Sequence, residues 1–286
     1  MAGLSFELHD VATSLSELGD ASLLMVRVGN RSERLAFVTL NEVLMREELG
    51  DGPGALLLAH HGLDDALQID QRMAVADFSR VIGSLTSNRT WLLRALVWAH
   101  QVGHLGALLD AVEALGRLSV ASDRPPEALD FLDVVALHRP LGVATKLDMM
   151  RARLALSEDT ADLMDDLAAT DPDLTSLDNR QAQVLSFRAE QSSDPAFVSV
   201  AALACRVAFD EFPSAEINRC LERLTGERCA LPFQFADVGE VRSTSEFDVL
   251  GRRLDGLLGI FDDASELERR GAQIVAELGT TNDARV

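Results

Sequence analysis

Tyrosine is missing from this 286-residue chain, and lysine occurs once, as Lys146, among 26 basic residues. Without tyrosine there is no tyrosyl proton donor. A Schiff base or a phosphate-binding ammonium group could be supplied only by Lys146. Composition alone therefore nearly excludes catalytic mechanisms that depend on a tyrosine or on several lysines.

Cysteines and long apolar runs are also scarce. The three cysteines are odd in number and form no CxxC pair, and the N-terminal MAGLSFELHD has no basic region followed by an apolar core. These absences predict a reducing, cytoplasmic compartment. The most apolar stretch, WLLRALVWA at 91–99, is interrupted by charge well short of the roughly 20 residues that a bilayer span needs. We therefore expect no membrane contact.

Positive charge is low relative to negative charge, with 26 basic and 46 acidic residues and a net charge of −20. Such a surface repels phosphate backbones and anionic lipid, so we expect no nucleic-acid partner. Hydrophobic residues make up 47% of the chain, which is ample for a buried core. The length fits one large domain or two of ordinary size.

The first 54 residues are predicted to form a small α+β element. The runs SLLMVRV at 22–28 and RLAFVTL at 34–40 are short, contain β-branched residues and partly alternate, and the turn-like GNRSE lies between them. This pattern predicts a β-hairpin. A helix is expected at 41–49, ending at GDGPG, because Gly and Pro interrupt regular structure.

Residues 55–228 are predicted to form a helical domain, because apolar residues recur there with helical spacing. The segment 89–118 is apolar almost all round, which predicts a central helix that is enclosed by neighbours and is broken or kinked at Gly103 and Gly106. Other helix boundaries are marked by Pro125, Pro195, Ser214 and Gly226. Helix-pair-sized blocks start about 35 residues apart, a spacing typical of solenoids. We predict a mainly α fold, an irregular bundle or a solenoid-like array, with a small N-terminal α/β hairpin element.

Residues 229–286 are predicted to comprise a linker and a C-terminal helical hairpin. The stretch 229–245 loses the helical period. A strict 3-4-3-4 rhythm of apolar residues then follows, at Phe247, Leu250, Leu254, Leu257 and Phe261. The run is shorter than the roughly three heptads of a coiled coil. We call these five apolar residues the C-terminal seam. Two interpretations stay open: the hairpin packs on its own domain, or the seam is a protein interface for dimerisation or partner docking.

The segment LLLAHHGLDDALQID at 56–70 holds the densest group of candidate metal ligands. If it is helical, His60 with Asp64 and His61 with Asp65 form i,i+4 pairs that can chelate a divalent ion or form hydrogen bonds. If HHG is a loop, both aspartates lie in the first turn of a helix, where they meet the positive end of its dipole. The sequence leaves both alternatives open.

An Asp-Asp-four residues-Asp pattern occurs twice, at Asp64, Asp65, Asp70 and at Asp165, Asp166, Asp171. The stretch DDALQIDQR resembles the first aspartate-rich motif of the all-helical isoprenoid diphosphate synthases, with Arg72 near the family's arginines. The resemblance implies two facing aspartate motifs that hold magnesium ions against a diphosphate. That family also carries a Gly-Lys-Arg segment and further lysines, which this chain lacks.

The pair His100 and His104, in HQVGH, is a second candidate metal site, at i,i+4 spacing on the predicted central helix. Zinc proteases have a glutamate directly after the first histidine, and Gln101 cannot act as that base. A helical histidine site would need further ligands, for which Asp110 and Glu113 are nearest in sequence. Hydrogen bonds to backbone carbonyls would explain both histidines without a metal.

The remaining catalytic signatures are absent, because the chain has no Walker sequence and no GxSxG elbow. We therefore expect a non-enzymatic protein-binding, scaffold or assembly subunit, without a cofactor, that uses helical surfaces to bind a protein partner or to self-associate. A large homo-oligomer or a virion-like particle is one such assembly. The alternatives are a magnesium-dependent diphosphate enzyme and a helical histidine metal-site protein.

Overall fold

The computed structural model describes Leu24 and residues 33–163, 179–211, 213–230, 244–260 and 264–280. Its helices over these ranges are α1 (Glu33–Leu49), α2 (Gly52–Gln68), α3 (Arg72–Leu85), α4 (Arg89–Val102), α5 (Leu105–Ala121), α6 (Pro125–His138), α7 (Val143–Ala155), α8 (Asn179–Glu190), α9 (Pro195–Glu211), α10 (Ala215–Thr225), α11 (Thr244–Leu258) and α12 (Ala264–Thr280). The described residues contain no β-strand, so the prediction of a mainly α fold is confirmed.

The predicted second hairpin strand at 34–40 is wrong, because these residues lie within α1. Ala36, Thr39 and Val43 are all buried, at the i, i+3, i+7 spacing of one helix face. A short apolar run does not distinguish a strand from a helix by its periodicity. The predicted first strand at 22–28 lies outside the described residues apart from Leu24.

The described residues group into two compact units. Unit 1 contains residues 33–47, Asp51–Leu115 and the helices α11 and α12. Unit 2 contains Glu48–Gly50 and the described residues of 116–230. These units do not coincide with the segments 1–54, 55–228 and 229–286, which stay predictions of domain organisation.

Glycines allow the first helices of unit 1 to approach one another closely. Gly62 on α2 faces the ring of Phe78 on α3, and a Cβ at this glycine would overlap that ring. Gly83 on α3 faces Leu92 on α4 in the same way. In each case a large, fully buried side chain fills the space that the missing side chain leaves, as the close packing of protein interiors requires.

The central helix of unit 1 is α4, against which α3, α11 and α12 pack. Residues 91–99 are buried except for Arg94, whose guanidinium donates two hydrogen bonds, of 2.7 and 2.6 Å, to the carboxylate of Asp255 on α11. Gly103 ends the helix in a left-handed conformation, with φ of 69°. The prediction of a central helix enclosed by neighbours is therefore confirmed for residues 89–102.

Unit 2 contains α6 to α10. Helices α6 and α7 form one pair, α7 also contacts α8, and α8, α9 and α10 pack against one another. The predicted boundaries are confirmed here: Pro125 and Pro195 open their helices, the Ser214 hydroxyl accepts a hydrogen bond from the Glu216 amide, and Gly226 closes α10 with φ of 75°. None of the described helices in either unit is long and apolar enough to span a membrane.

Candidate functional site

The HHGLDD segment is helical, so the helical alternative of the sequence analysis holds. His60 is buried in α2, and its ring meets the ring of Phe247 on α11 edge-on, with 4.6 Å between centroids. The Asp64 carboxylate accepts hydrogen bonds from Arg253 on α11, at 2.9 Å, and from Gln68, at 3.0 Å. Both side chains thus help to attach α11 to α2 within unit 1.

The predicted convergence of two aspartate motifs is not tested, because Asp165, Asp166 and Asp171 lie outside the described residues. In the first motif Asp70 adopts a left-handed conformation and pairs with Arg72 at 3.1 Å, both side chains being exposed. Within the described parts of the chain, no group of three or more His, Cys, Asp or Glu side chains is placed to hold a metal ion. A metal site at His60, His61, Asp64 and Asp65 stays a prediction.

His100 and His104 do not share a helix, because α4 ends at Val102 and α5 begins at Leu105. The prediction that both lie on the central helix is therefore wrong, and the left-handed Gly103 between them is the reason. His100 Nε2 lies 3.5 Å from a carboxylate oxygen of Glu277 on α12. His104 Nδ1 accepts a hydrogen bond from the Ala107 amide at 2.9 Å, which caps the start of α5.

Most of the described residues of the C-terminal seam pack against other helices of unit 1. Leu250 and Leu254 are buried, and their helix α11 packs on α4. Phe247 contacts His60, and Phe261 lies outside the described residues. Leu257 is 57% exposed, so it is the described member of the seam that a partner could reach. The interface through this seam stays a prediction.

A surface that sequence reasoning did not single out lies on α9. Like α4, this helix is apolar almost all round, in the run AFVSVAALACRVAF. A helix of that composition is normally enclosed by neighbours. Helix α4 has neighbours on several sides, whereas the described helices that pack extensively on α9 are α8 and α10, which cover the face of Cys205 and Phe209.

The opposite face of α9 exposes three large apolar side chains: Val200 at 58%, Leu203 at 60% and Val207 at 44%. Their i, i+3, i+7 spacing places them in one strip, about 10 Å long, which we call the α9 stripe. No other helix in the described part of the chain exposes three large apolar side chains. Single exposed apolar residues are ordinary on protein surfaces, but a contiguous strip indicates an interaction site.

Acidic residues border the α9 stripe. Asp210 and Glu211 are exposed at its C-terminal end, and Asp194 is exposed before its first turn. Arg206, the one basic residue of α9, is paired with Glu227 at 2.5 Å. The unsatisfied carbonyls at the end of α9 add a partial negative charge beside Asp210 and Glu211. The two ends of the stripe therefore carry acidic side chains.

A ring of ion pairs connects α8 and α10, the two helices that support α9, with α5 and α7. Arg117 pairs with Asp148 at 2.8 Å and with Glu216 at 3.0 Å, and Arg151 pairs with Asp148 at 2.8 Å. The ring continues through Glu190, which accepts hydrogen bonds from Arg151 and Arg223, and it closes where Arg223 lies 3.9 Å from Glu216. Networks of this kind position helices more firmly than isolated surface pairs do.

Glu216 makes the stability of unit 2 depend on pH. Burial alone would raise the pKa of Glu216, but Arg117, followed by Arg219 and Arg223, outweighs burial and lowers it from 4.5 to about 2. Between these values the unfolded state binds more protons than the folded state. The stabilisation by Glu216 is therefore fully present above pH 4.5 and is lost as the pH falls towards 2.

We accordingly expect the difference in unfolding free energy between the wild type and Glu216→Gln to be constant down to about pH 5 and to shrink below it. Urea titrations followed by circular dichroism at a series of pH values would measure this difference. A difference that stays constant down to pH 2 would contradict the assignment, because the glutamine does not titrate.

The three cysteines lie in one part of unit 2. Cys205 and Cys220 lie in the core formed by α8, α9 and α10, and Cys229 packs against its edge. Burial raises the pKa of each thiol, that of Cys205 to about 12. A protonated, buried thiol is a poor nucleophile, so Cys205 and Cys220 act as core side chains.

Comparison with protein-family models, with curated proteins and with solved structures finds no match for this chain.

Proposed function

We propose that this chain is a non-enzymatic protein-binding subunit and that the α9 stripe is its contact surface. The observation that carries the proposal is the exposure of Val200, Leu203 and Val207 on a helix whose composition is that of an enclosed helix. A protein partner would cover this face as α3, α11 and α12 cover α4. Partner binding in a reducing, cytoplasmic compartment is part of the proposal.

The rigidity of the surrounding unit supports a binding role. The partners of α9 are held by the ring of ion pairs and by a core that includes the fully buried Phe209 and Ile217. A preorganised surface loses little conformational entropy when it binds. The α9 stripe therefore has the two properties of a docking surface, exposed apolar area and a fixed geometry.

A site-specific photo-crosslink tests the proposal. Benzoylphenylalanine is placed at position 203 of the full chain, and at position 257 as a control, since Leu203 and Leu257 are the same residue type with 60% and 57% exposure. We expect illumination in cells of the source organism to give one adduct of reproducible mass from position 203 and none from position 257. The adduct should disappear when Val200 and Val207 are both replaced by glutamate.

Three outcomes would overturn the proposal. These are no adduct from either position, the same set of adducts from both positions, and an adduct from position 257 alone. The last result would favour the C-terminal seam as the interface. An adduct of twice the chain mass from position 203 would support protein binding and identify a second copy of the chain as the partner. Circular dichroism of each variant would establish that it is folded.

A further inference from the structure

The α9 stripe has the dimensions of a contact with one helix. Val200 and Val207 are about 10 Å apart along the axis, two helical turns, and the elements beside α9 are themselves the helices α8 and α10. In an all-helical layer, ridges of residues spaced three or four apart, such as Val200–Leu203 and Leu203–Val207, pack into the grooves of a neighbouring helix. An amphipathic helix is the element that completes such a layer.

The acidic residues at the two ends of the α9 stripe, which we call the acidic rim, determine what kind of partner helix can bind. Asp194 lies at one end of the stripe and Asp210 and Glu211 at the other, while the positive charge of Arg206 is already paired with Glu227. Basic side chains on the flanks of a partner helix would lie opposite these carboxylates and opposite the negative end of the α9 dipole. Acidic flanks would be repelled by the same groups.

A second copy of the chain fits this surface poorly. In a two-fold contact between two antiparallel α9 helices, Asp194 of each copy would approach Asp210 and Glu211 of the other. Each copy would also bring a net charge of −20. Like charges facing each other across an interface oppose association, so the rim disfavours self-association through α9.

We infer that the α9 stripe binds a basic amphipathic helix, which presents apolar side chains to Val200, Leu203 and Val207 and lysine or arginine to the acidic rim. This inference rests on the proposed function and specifies its partner. The long-range attraction between such a helix and the acidic chain would also accelerate association. The same attraction makes the affinity fall as the salt concentration rises.

Peptide binding tests the inference. The probe is a fluorescein-labelled synthetic helix of 17 residues, the length of α9, with leucine on one face and lysine elsewhere. A second peptide carries glutamate in place of every lysine. Fluorescence anisotropy should show binding of the lysine peptide that weakens with added salt, and no binding of the glutamate peptide.

Matched variants separate docking on the stripe from general attraction to an acidic surface. Leu203→Glu should weaken binding of the lysine peptide at least about tenfold, whereas Leu257→Glu should change it by less than about twofold. The double variant Asp210→Asn, Glu211→Gln should reduce both the affinity and its salt dependence. Because all these side chains are exposed, the variants are expected to fold.

The inference is overturned if the lysine peptide does not bind, if the two leucine variants weaken its binding equally, or if the glutamate peptide binds as well. These failures are distinguishable from failure of the proposed function. A site-specific adduct from position 203 together with failure of the lysine peptide would leave protein binding in place and reject the basic helix as partner. Absence of that adduct would reject both.

Discussion

Replacing Glu216 by glutamine should lower the free energy of unfolding of unit 2 by about 3 kcal/mol at neutral pH. The carboxylate of Glu216 is largely buried and lies among three arginines: it accepts hydrogen bonds from Arg117 and Arg219, and Arg223 lies farther away at 3.9 Å. An amide of the same shape cannot balance these charges, so Arg117 would keep only Asp148 as a counter-charge and Arg223 only Glu190. Urea unfolding followed by far-ultraviolet circular dichroism would measure the loss.

The exposed pair of Arg206 and Glu227 provides the control for this prediction. Both side chains are largely in solvent, so Glu227→Gln should change the free energy of unfolding by less than about 1 kcal/mol. If Glu216→Gln and Glu227→Gln lower the free energy of unfolding equally, the ring of ion pairs contributes no more to stability than a surface ion pair does. The ring would then not explain how α8 and α10 hold α9 in position.

Replacing Phe78 by alanine should destabilise unit 1 by about 3–5 kcal/mol. Phe78 is fully buried, and its ring fills the space left by the missing side chain of Gly62. The cavity would persist, because the facing residue has no side chain that could move into it. Both tryptophans, Trp91 and Trp98, are buried in unit 1, so tryptophan fluorescence during urea unfolding reports on this unit.

Two further variants make this prediction specific. Phe37 is 67% exposed, and Phe37→Ala should change stability by less than about 0.5 kcal/mol. Gly62→Leu should destabilise the wild type by overlap with the Phe78 ring, but it should recover part of the stability lost in Phe78→Ala. If the stability losses of Gly62→Leu and Phe78→Ala simply add up in the double variant, the two residues do not share one packed space.

Helix ends were predictable from the sequence wherever a residue has one strong local preference. Pro125 and Pro195 open helices because their missing amide costs nothing there, and Gly103 and Gly226 end helices because they adopt positive φ without strain. The segment 34–40 was predicted wrongly because its residues favour a strand only weakly. Packing of Ala36, Thr39 and Val43 on one face decides the structure there.

The candidate site was not predictable to the same degree, because hydrophobic pattern does not say which neighbours a helix has. The runs at 91–99 and 196–209 are similarly apolar, yet α4 is enclosed whereas α9 keeps one face exposed. Residue type and spacing predicted metal sites in the histidine and aspartate segments, but neither says which side chains meet in the fold. In the structure His60 and Asp64 contact α11, and His104 caps α5. The sequence did contain a signal for the α9 stripe, because the run at 196–209 predicts a helix that has no polar face.

The central claim is that α9 carries the contact surface for a protein partner, and amide hydrogen exchange tests it most directly. Exchange is measured for the chain alone and for its complex with the partner identified from the position 203 adduct. We predict slower exchange in α9 and unchanged exchange in α11 when the partner binds. Slower exchange in α11, with unchanged exchange in α9, would contradict the account. It would indicate that the interface is the C-terminal seam around Leu257.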